Sequence, residues 1–469
     1  MTTTFLWHDY ETFGTLPRRD RPAQFAAIRT DAALNEIGEP VMLYCRPADD
    51  YLPDPAACLI TGITPQLCLQ QGVPEHQFAA RIEQELAKPG TIGVGYNSIR
   101  FDDEVTRFLF WRNLIDPYAR EWQNDCGRWD LLDVVRCVHA LRPEGFEWPK
   151  ADDGTASFKL ERLTAANGLT HTAAHDALSD VRATIALARM IRQRNEKLFD
   201  FCLALRKKDR VAQELGLPTT LQEARPFLHV SGRFGAARGC IALMAPLAMH
   251  PTNKNELLAW DLSQDPAELA GLTAEEVRAR LFVANSDLPV GATRLAIKGV
   301  HLNKSPIVIR NVNTLKPELA ERWGIDVAAA QRHFERLRAL PDLSALWQQV
   351  YARPVDAETP DVDEDLYGGF VGNEDRRRLA RLRAMAPAEL AAARTGFDDA
   401  RLAELLLRYR ARNFPETLTA EERARWERHR VARLIEGEGG ARSFDALFAQ
   451  LDELGANADE RGEAILGAL

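Results

Sequence analysis

The chain has 469 residues, 46% of them hydrophobic and 27% charged, which is enough for two or three domains with cores of their own and excludes a fibrous or low-complexity polymer. No apolar run approaches the roughly 20 residues that cross a membrane, and the start MTTTFLWHDYE has neither the basic lead nor the long apolar core of a secretory signal. Seven cysteines without a C-x-x-C pair argue against a disulfide framework or a zinc site, so a reducing cytoplasm is expected. The formal net charge of −9 speaks against a nucleic-acid partner only on the average. Positive charge gathers in mid-chain, in RKKDR (206–210), GRFGAARG (232–239) and LAIKGVHLNKSPIVIR (295–310), although each cluster alone also reads as a solvated face.

From Phe5 to about Leu198 strand and helix signals alternate. FLWHDYETF, AAIRTDA (26–32) and PVMLYCR (40–46) read as three successive strands, QFAARIEQELAK (77–88) as a helix and TIGVGYNSI (91–99) as another strand. DDEVTRFLFWRNL (102–114) and RWDLLDVVRCVHAL (128–141) read as helices, and an amphipathic helix over 174–194 closes the section. A strand meander followed by alternating helices and strands predicts an α/β domain with a mixed sheet over 1–195. Short Gly- and Pro-bounded strands between 206 and 310, interrupted by a helical AELAGLTAEEVRARLFVA (267–284), predict a small barrel within 196–348. The remainder, 349–469, is helical by period, apart from an acidic, Pro-containing stretch, PVDAETPDVDEDLYGGF (354–370), that reads as an extended linker.

Three segments carry carboxylates where they need a reason. In HDYETFG, Asp9 and Glu11 are two apart on a strand and so stand side by side on one face. This is either a solvated strand end or a pair closing on a cation, of which a hard metal ion is the simplest. GYNSIRFDDEVTRF (95–108) starts a helix with Asp102, Asp103 and Glu104, a placement the helix dipole alone also favours. In HDALSD (175–180), Asp180 borders the apolar stripe of the closing helix. His175, five residues earlier and about 140° around, shares its site only from the helix start or beyond it.

Together, D-x-E on a first strand, N…F-D in the middle and H-x4-D on a last helix resemble the DEDD exonucleases of the histidine subclass; where the tyrosine subclass has Tyr, this chain has Asp176. Further landmarks, RPAQFAAIRTD (21–31), ITGIT (60–64), RWDLLDV, ALRPEG, HVSG-x-FGA, NTLKPE and RYRARNFP (408–415), are similar to bacterial exonuclease I along essentially the whole chain. Asn97 stands five residues before Asp102, the longer spacing of that family, and the preceding Phe101 favours Asp102 over Asp103.

The resemblance implies a ribonuclease H-like exonuclease domain with a mixed sheet, an SH3-like β-barrel and a C-terminal helical domain. It implies a monomeric, cytoplasmic enzyme of DNA repair and recombination that degrades single-stranded DNA from the 3′ end to 5′-mononucleotides. Phosphodiester hydrolysis needs an activated nucleophile and a sink for charge on the leaving oxygen, which two divalent ions supply. By resemblance Asp9, Glu11 and Asp180 hold two Mg2+ ions, for which Mn2+ can substitute. Asp102 acts through ordered water, and His175, unless it only bonds backbone, takes the proton. Glu11 also meets the terminal sugar. Phe101, Tyr118 and Trp122 are expected as base platforms, though each alone also reads as a core aromatic. Arg107, Arg136 and Lys159 are expected at phosphates, Lys159 standing where the family more often has the bidentate arginine. A helical domain closing over the groove would hold one strand through many cuts. The family also implies docking of the acidic tail of single-stranded-DNA-binding protein, with Arg142 a candidate contact. The rivals are a nuclease of RNA ends and a nucleic-acid-binding scaffold with a vestigial site; all five catalytic positions are filled, which disfavours the scaffold.

Overall fold

The structure, a computed structural model, describes residues 3–170, 176–352, 360–393 and 395–469. Its packing gives two compact units, one of Met1–Gly127, His171–Ile185 and Glu358–Leu469, the other of Arg128–Thr170 and Ala186–Ala357.

In the first unit the chain runs β1 (Thr4–Thr12), β2 (Pro22–Thr30), β3 (Val41–Tyr44), α1 (Pro55–Thr61), α2 (Pro65–Gln71), α3 (Glu75–Leu86), β4 (Thr91–Gly95) and α4 (Asp102–Arg112). β1 pairs antiparallel with β2, and β2 with β3, while β1 and β4 run parallel, so the sheet is mixed in the order β3-β2-β1-β4. The helices α1 and α2 were not legible from period. Each is opened by a capping side chain followed by proline, Asp54 before Pro55 and Thr64 before Pro65, a start that needs no amphipathic stripe. Between them Gly62 takes φ 74°, so the ITGIT segment is a helix end and the next cap.

One face of the sheet packs on α3 and α4: Leu6, Tyr10, Phe25 and Ala27 meet Phe78, Ala79, Ile82 and Leu86 of α3 and Val105, Leu109 and Phe110 of α4. Because side chains alternate along β1, Phe5, Trp7, Asp9 and Glu11 share the other face. The expected strand TIGVGYNSI ends early. β4 stops at Gly95, and Asn97 turns the chain at φ 67°.

Next come β5 (Gly127–Asp130), α5 (Leu131–Leu141), α6 (Leu160–Ala166) and α7 (Ala177–Arg194). The helix expected from Arg128 therefore begins only at Leu131. RWD is extended, and the Asp130 carboxylate accepts the Leu132 N–H at 2.9 Å as the helix cap. In the second unit β6 (Phe227–Val230), β7 (Ile241–Met249), β8 (Glu256–Asp261), β9 (Ile297–His301) and β10 (Ile307–Ile309) form one antiparallel sheet, β10-β6-β7-β8-β9. Pro246, which has no N–H to give, sits at the irregularity in the β7–β8 ladder.

Residues 361–370 overturn the expected extended linker, of which 354–359 lie outside the described residues. The segment is folded against the first unit: Val362 C=O accepts Trp111 Nε1–H at 2.8 Å, Leu366 is buried with Trp111, Leu402 and Tyr409, and Asp363 is buried. Its acidic residues face arginines of the helix Arg401–Asn413, so they are sequestered charges and not a solvated tether. No described helix is long and apolar enough to cross a membrane.

Candidate active site

The pleat of β1 sets Asp9 and Glu11 on one face, opposite Ala26 and Gln24 of β2. α7 supplies the third carboxylate. Asp176 accepts the Ser179 N–H at 3.0 Å, an N-cap bond that fixes where the helix starts, and Asp180 follows in the first turn. Carboxylate oxygens of Asp9, Glu11 and Asp180 all lie within 4.8 Å of one another.

Asp102 comes from the first residue of α4. The β1–β4 ladder ends at the pair Trp7 and Val94, and beyond it the Tyr10 N–H donates to Asp102 Oδ1 at 3.0 Å, a buried bond. Thr106 Oγ1 donates to the Asp102 carbonyl at 2.8 Å and lies 3.0 Å from the Tyr10 hydroxyl, which locks the helix start to the strand. Its neighbour Asp103 pairs instead with Arg120 Nη2 at 2.6 Å, both groups buried. Of the two adjacent aspartates, Asp102 is thus the one bonded to the carboxylate-bearing strand.

This grouping is electrostatically costly without a cation. The Asp9 carboxyl is pushed well above its ordinary value by burial and then by the charges of Asp102, Glu11 and Asp180. Glu11 is pushed up to about 8, by burial first and then by Asp180, Asp102 and Asp176. Among the described residues no lysine or arginine forms an ion pair with Asp9 or Glu11. An all-oxygen, all-carboxylate donor set of this kind fits a divalent cation of the hard class and is ill suited to a soft one.

The remaining expected residues fall in different places. His175 lies outside the described residues. Phe101 caps α4 and packs partly buried on the core. Arg107 is buried, with its guanidinium held by Glu121 at 2.7 and 2.9 Å, by Glu104 at 2.8 Å and by the Tyr367 hydroxyl at 3.0 Å, over the Tyr118 ring; contact with a phosphate would require an exchange of partners. Trp122 is 65% exposed and lines, with Tyr118, a cavity of about 530 Å³. In the second unit Arg136 is bonded to Asp133 at 2.7 Å and lies over Phe158, while Lys159 is exposed at the start of α6. Arg142, in the same unit, ends α5.

Two aromatic residues were missed by sequence reasoning. Tyr367 bonds Arg107 and Glu104, and Phe370, 87% exposed, stands 6.1 Å from the Tyr118 ring and lines the same cavity. Both lie in the stretch that composition assigned to a linker; the signal available was the aromatic pair itself, Y-x-x-F, in an otherwise acidic segment.

The models of three domain families match the chain: Exonuclease over residues 6–188, Exonuclease I SH3-like domain over 206–353 and Exonuclease I C-terminal domain over 360–469. The chain is 49% identical over 432 residues to Exodeoxyribonuclease I of Escherichia coli strain K12, covering 91% of this chain and 89% of that one. Its structure is similar to that of E. coli exonuclease I in complex with a dA16 oligonucleotide, with TM-score 0.92, 44% identity, and coverage of 99% and 98%. It is similar as well to the complex of ExoI with SSB-Ct, with TM-score 0.90, 44% identity, and coverage of 100% and 98%. With the carboxylate cluster in place and the likeness running through all three regions, the chain belongs to the exonuclease I family of exodeoxyribonucleases.

Proposed function

We propose that the chain shortens single-stranded DNA from its 3′ end, one 5′-mononucleotide at a time, with two Mg2+ ions held by Asp9, Glu11 and Asp180, in DNA repair and recombination in the cytoplasm. The observation that carries this reading is the meeting of the carboxylate oxygens of Asp9, Glu11 and Asp180 within 4.8 Å of one another, close enough that their repulsion helps push the Asp9 and Glu11 carboxyls up. When bound, such ions activate water and take up charge on the leaving oxygen. The chain's own residues do the rest. Asp102, bonded to the Tyr10 N–H, acts through ordered water at the cluster. His175 takes the proton from the attacking water, a task suited to histidine, the side chain that ordinarily changes charge near neutral pH. Glu11 orients the terminal sugar.

Tyr118, Trp122 and Phe370 offer faces on which bases of any sequence can stack, and Arg136 and Lys159 offer charge to phosphates. The chain works as a monomer, with an exonuclease domain over 1–195, an SH3-like domain over 196–348 and a helical domain over 349–469. It docks the tail of single-stranded-DNA-binding protein, with Arg142 among the contacts; the ExoI complex with SSB-Ct supports this by likeness. The test is a 5′-labelled single-stranded DNA oligomer with and without Mg2+, beside RNA and duplex counterparts. Mg2+-dependent shortening from the 3′ end, confined to single-stranded DNA, is the expected result, whereas binding without a cut at every metal would leave a scaffold.

A further inference from the structure

Behind the carboxylate strand lies a second buried group of polar side chains that hydrolysis does not use: the ion pair of Asp103 with Arg120, and beside it His8. Arg120 comes from a single 3₁₀ turn, Ala119–Glu121, between Tyr118 and Trp122. Its guanidinium is buried, donates to Asp103 Oδ1 at 2.6 Å, and has Nε and Nη1 without a bonding partner among the described residues. Room for it is made by Gly93 in the interior of β4. A Cβ at that position would stand 3.3 Å from Arg120 Nη1 and 3.4 Å from His8 Cε1, so a larger side chain there would contest the space the guanidinium fills. His8, one residue before Asp9, projects to this side, its Nδ1 3.2 Å from the Leu6 carbonyl.

A buried ion pair of this kind is a poor source of stability, because desolvating two charges offsets most of their attraction. Its geometric consequence is larger. Asp103 and Asp102 are adjacent at the first turn of α4, and at that point their carboxylates leave the helix in different directions. Asp103 goes to Arg120 and Asp102 to the Tyr10 N–H of β1. Fixing one fixes the other. Phe101 gives the helix start no side-chain cap; the Asp103 N–H donates to the Ser98 carbonyl at 2.8 Å, and the ion pair with Arg120 adds a side-chain tie to the same turn. The next residue of the same turn, Glu121, holds Arg107 of α4 through two bonds at 2.7 and 2.9 Å. The segment carrying Tyr118 and Trp122 is therefore stapled to α4 twice, by oppositely directed ion pairs.

We propose that Arg120 is a positioning residue for hydrolysis: by pairing with Asp103 in the space left by Gly93, it sets the first turn of α4 so that Asp102 faces Asp9 and Glu11. In doing so it holds the aromatic segment in register with the metal-binding strand. The proposal rests on the metal reading of the Asp9 cluster. Residues that orient metal-site carboxylates from behind typically change metal affinity or activity by about 10–100-fold when replaced.

The test uses the full chain in three forms: the parent, Arg120→Lys, and the charge-free double variant Asp103→Asn with Arg120→Met, which removes both buried charges so that neither is stranded. The readouts are the Mg2+ concentration for half-maximal cleavage of a 5′-labelled oligomer, kcat against KM, and the melting temperature. The double variant is expected to fold and to need about tenfold more Mg2+, with KM within twofold of the parent. Arg120→Lys, which keeps the charge and loses the planar fork, is expected to lie between the two. A Mg2+ midpoint at the parent value in the folded double variant overturns the proposal. If the double variant does not fold, an unshifted midpoint in Arg120→Lys overturns it equally. Failure of the metal reading itself is distinguishable, because the parent would then cleave without Mg2+ or retain activity after Asp9→Ala.

Discussion

The first unit contains two clusters of carboxylates withdrawn wholly or partly from water, and they are opposites. Asp9, Glu11, Asp102 and Asp180 crowd together without an arginine or lysine ion pair to Asp9 or Glu11, and the carboxyls of Asp9 and Glu11 are pushed up. Asp50 and Asp363 are at least as deeply buried, yet Arg412 lies 2.7 Å from Asp50 and 3.0 Å from Asp363, with Arg408 and Arg21 beside Asp363 and His429 beside Asp50. There burial pushes the carboxyls up, and Arg412 with its neighbours more than offsets it, holding both well below the ordinary range. Loss of water, partial at Asp9 and Asp180, is common to both clusters, so it alone marks neither as functional. The counter-charge does: one cluster is completed by the protein, the other waits for a cation from outside.

The sharpest way to break that contrast is Asp9→Ala. If the cluster is a metal site, cleavage of the oligomer falls on the order of 10³-fold, several kcal/mol of transition-state stabilisation, while the metal-free fold loses nothing, because a desolvated and repelled charge is removed. A metal-free melting temperature equal to or above that of the parent, with cleavage gone, supports the contrast; retained cleavage sinks it. Glu11 adds a pH signature. Its folded pKa, about 8, is raised above the ordinary 4.5, so its contribution to metal-free stability is complete below about pH 4.5 and is lost as pH rises through about 8. In EDTA the urea midpoint should decline over that window, and added Mg2+ should restore it most at the alkaline end.

Asp363→Asn tests the other side. Removing one partner leaves Arg412 with Asp50 alone and takes a counter-charge from Arg408 and Arg21, an excess of buried positive charge that costs about 3 kcal/mol, the low end for breaking a buried pair, measured by urea unfolding. The Mg2+ midpoint and KM of the molecules that remain folded should stay at parent values. The pH sense is reversed from that of Glu11. Asp363 is depressed below its ordinary 3.8, so its contribution is present above that value and is lost as pH falls through the lower folded pKa. The gap between parent and variant should therefore close below about pH 4. A gap that widens there would contradict the pairing.

The two clusters also differ in how far they could be read before folding. Strand period put Asp9 and Glu11 on one face, and helix period put Asp180 beside an apolar stripe; that the three belong to one site was implied only by the resemblance to the DEDD exonucleases. Asp102 was legible as a helix-start acid, but its separation from Asp103 was not, since it depends on Arg120 arriving from a 3₁₀ turn and on room left by Gly93 of another strand. Asp363 was misread. Its composition is that of a solvated tether, and the arginines that bury it are more than 40 residues away in RYRARNFP. For the same reason Arg107, expected to meet a phosphate, has its guanidinium taken by Glu104 and Glu121. Partner choice over long sequence distances is a tertiary fact that period and propensity do not encode.

The smallest expected effect concerns the aromatic rim. Trp122 and Phe370 are exposed at 65% and 87% and line one cavity with Tyr118, an arrangement that leaves apolar faces in water unless something stacks on them. Stacking one base on one ring contributes about 1–3 kcal/mol. At sites this exposed the lower end applies, so Trp122→Ala and Phe370→Ala should each raise KM about fivefold, with kcat within twofold, because a ring that only grips a base acts on binding and leaves the chemical step alone. The double variant sharpens the reading. If the rings stack on different bases, the two effects multiply to about 25-fold. If they grip a single base from its two faces, loss of the first ring already frees the base, and the second adds little. In both cases a very short oligomer that fills the carboxylate cluster without reaching the rim should be cut by the variants as by the parent. A loss of kcat on that short substrate would instead move these rings from substrate grip to the chemistry of the first cluster.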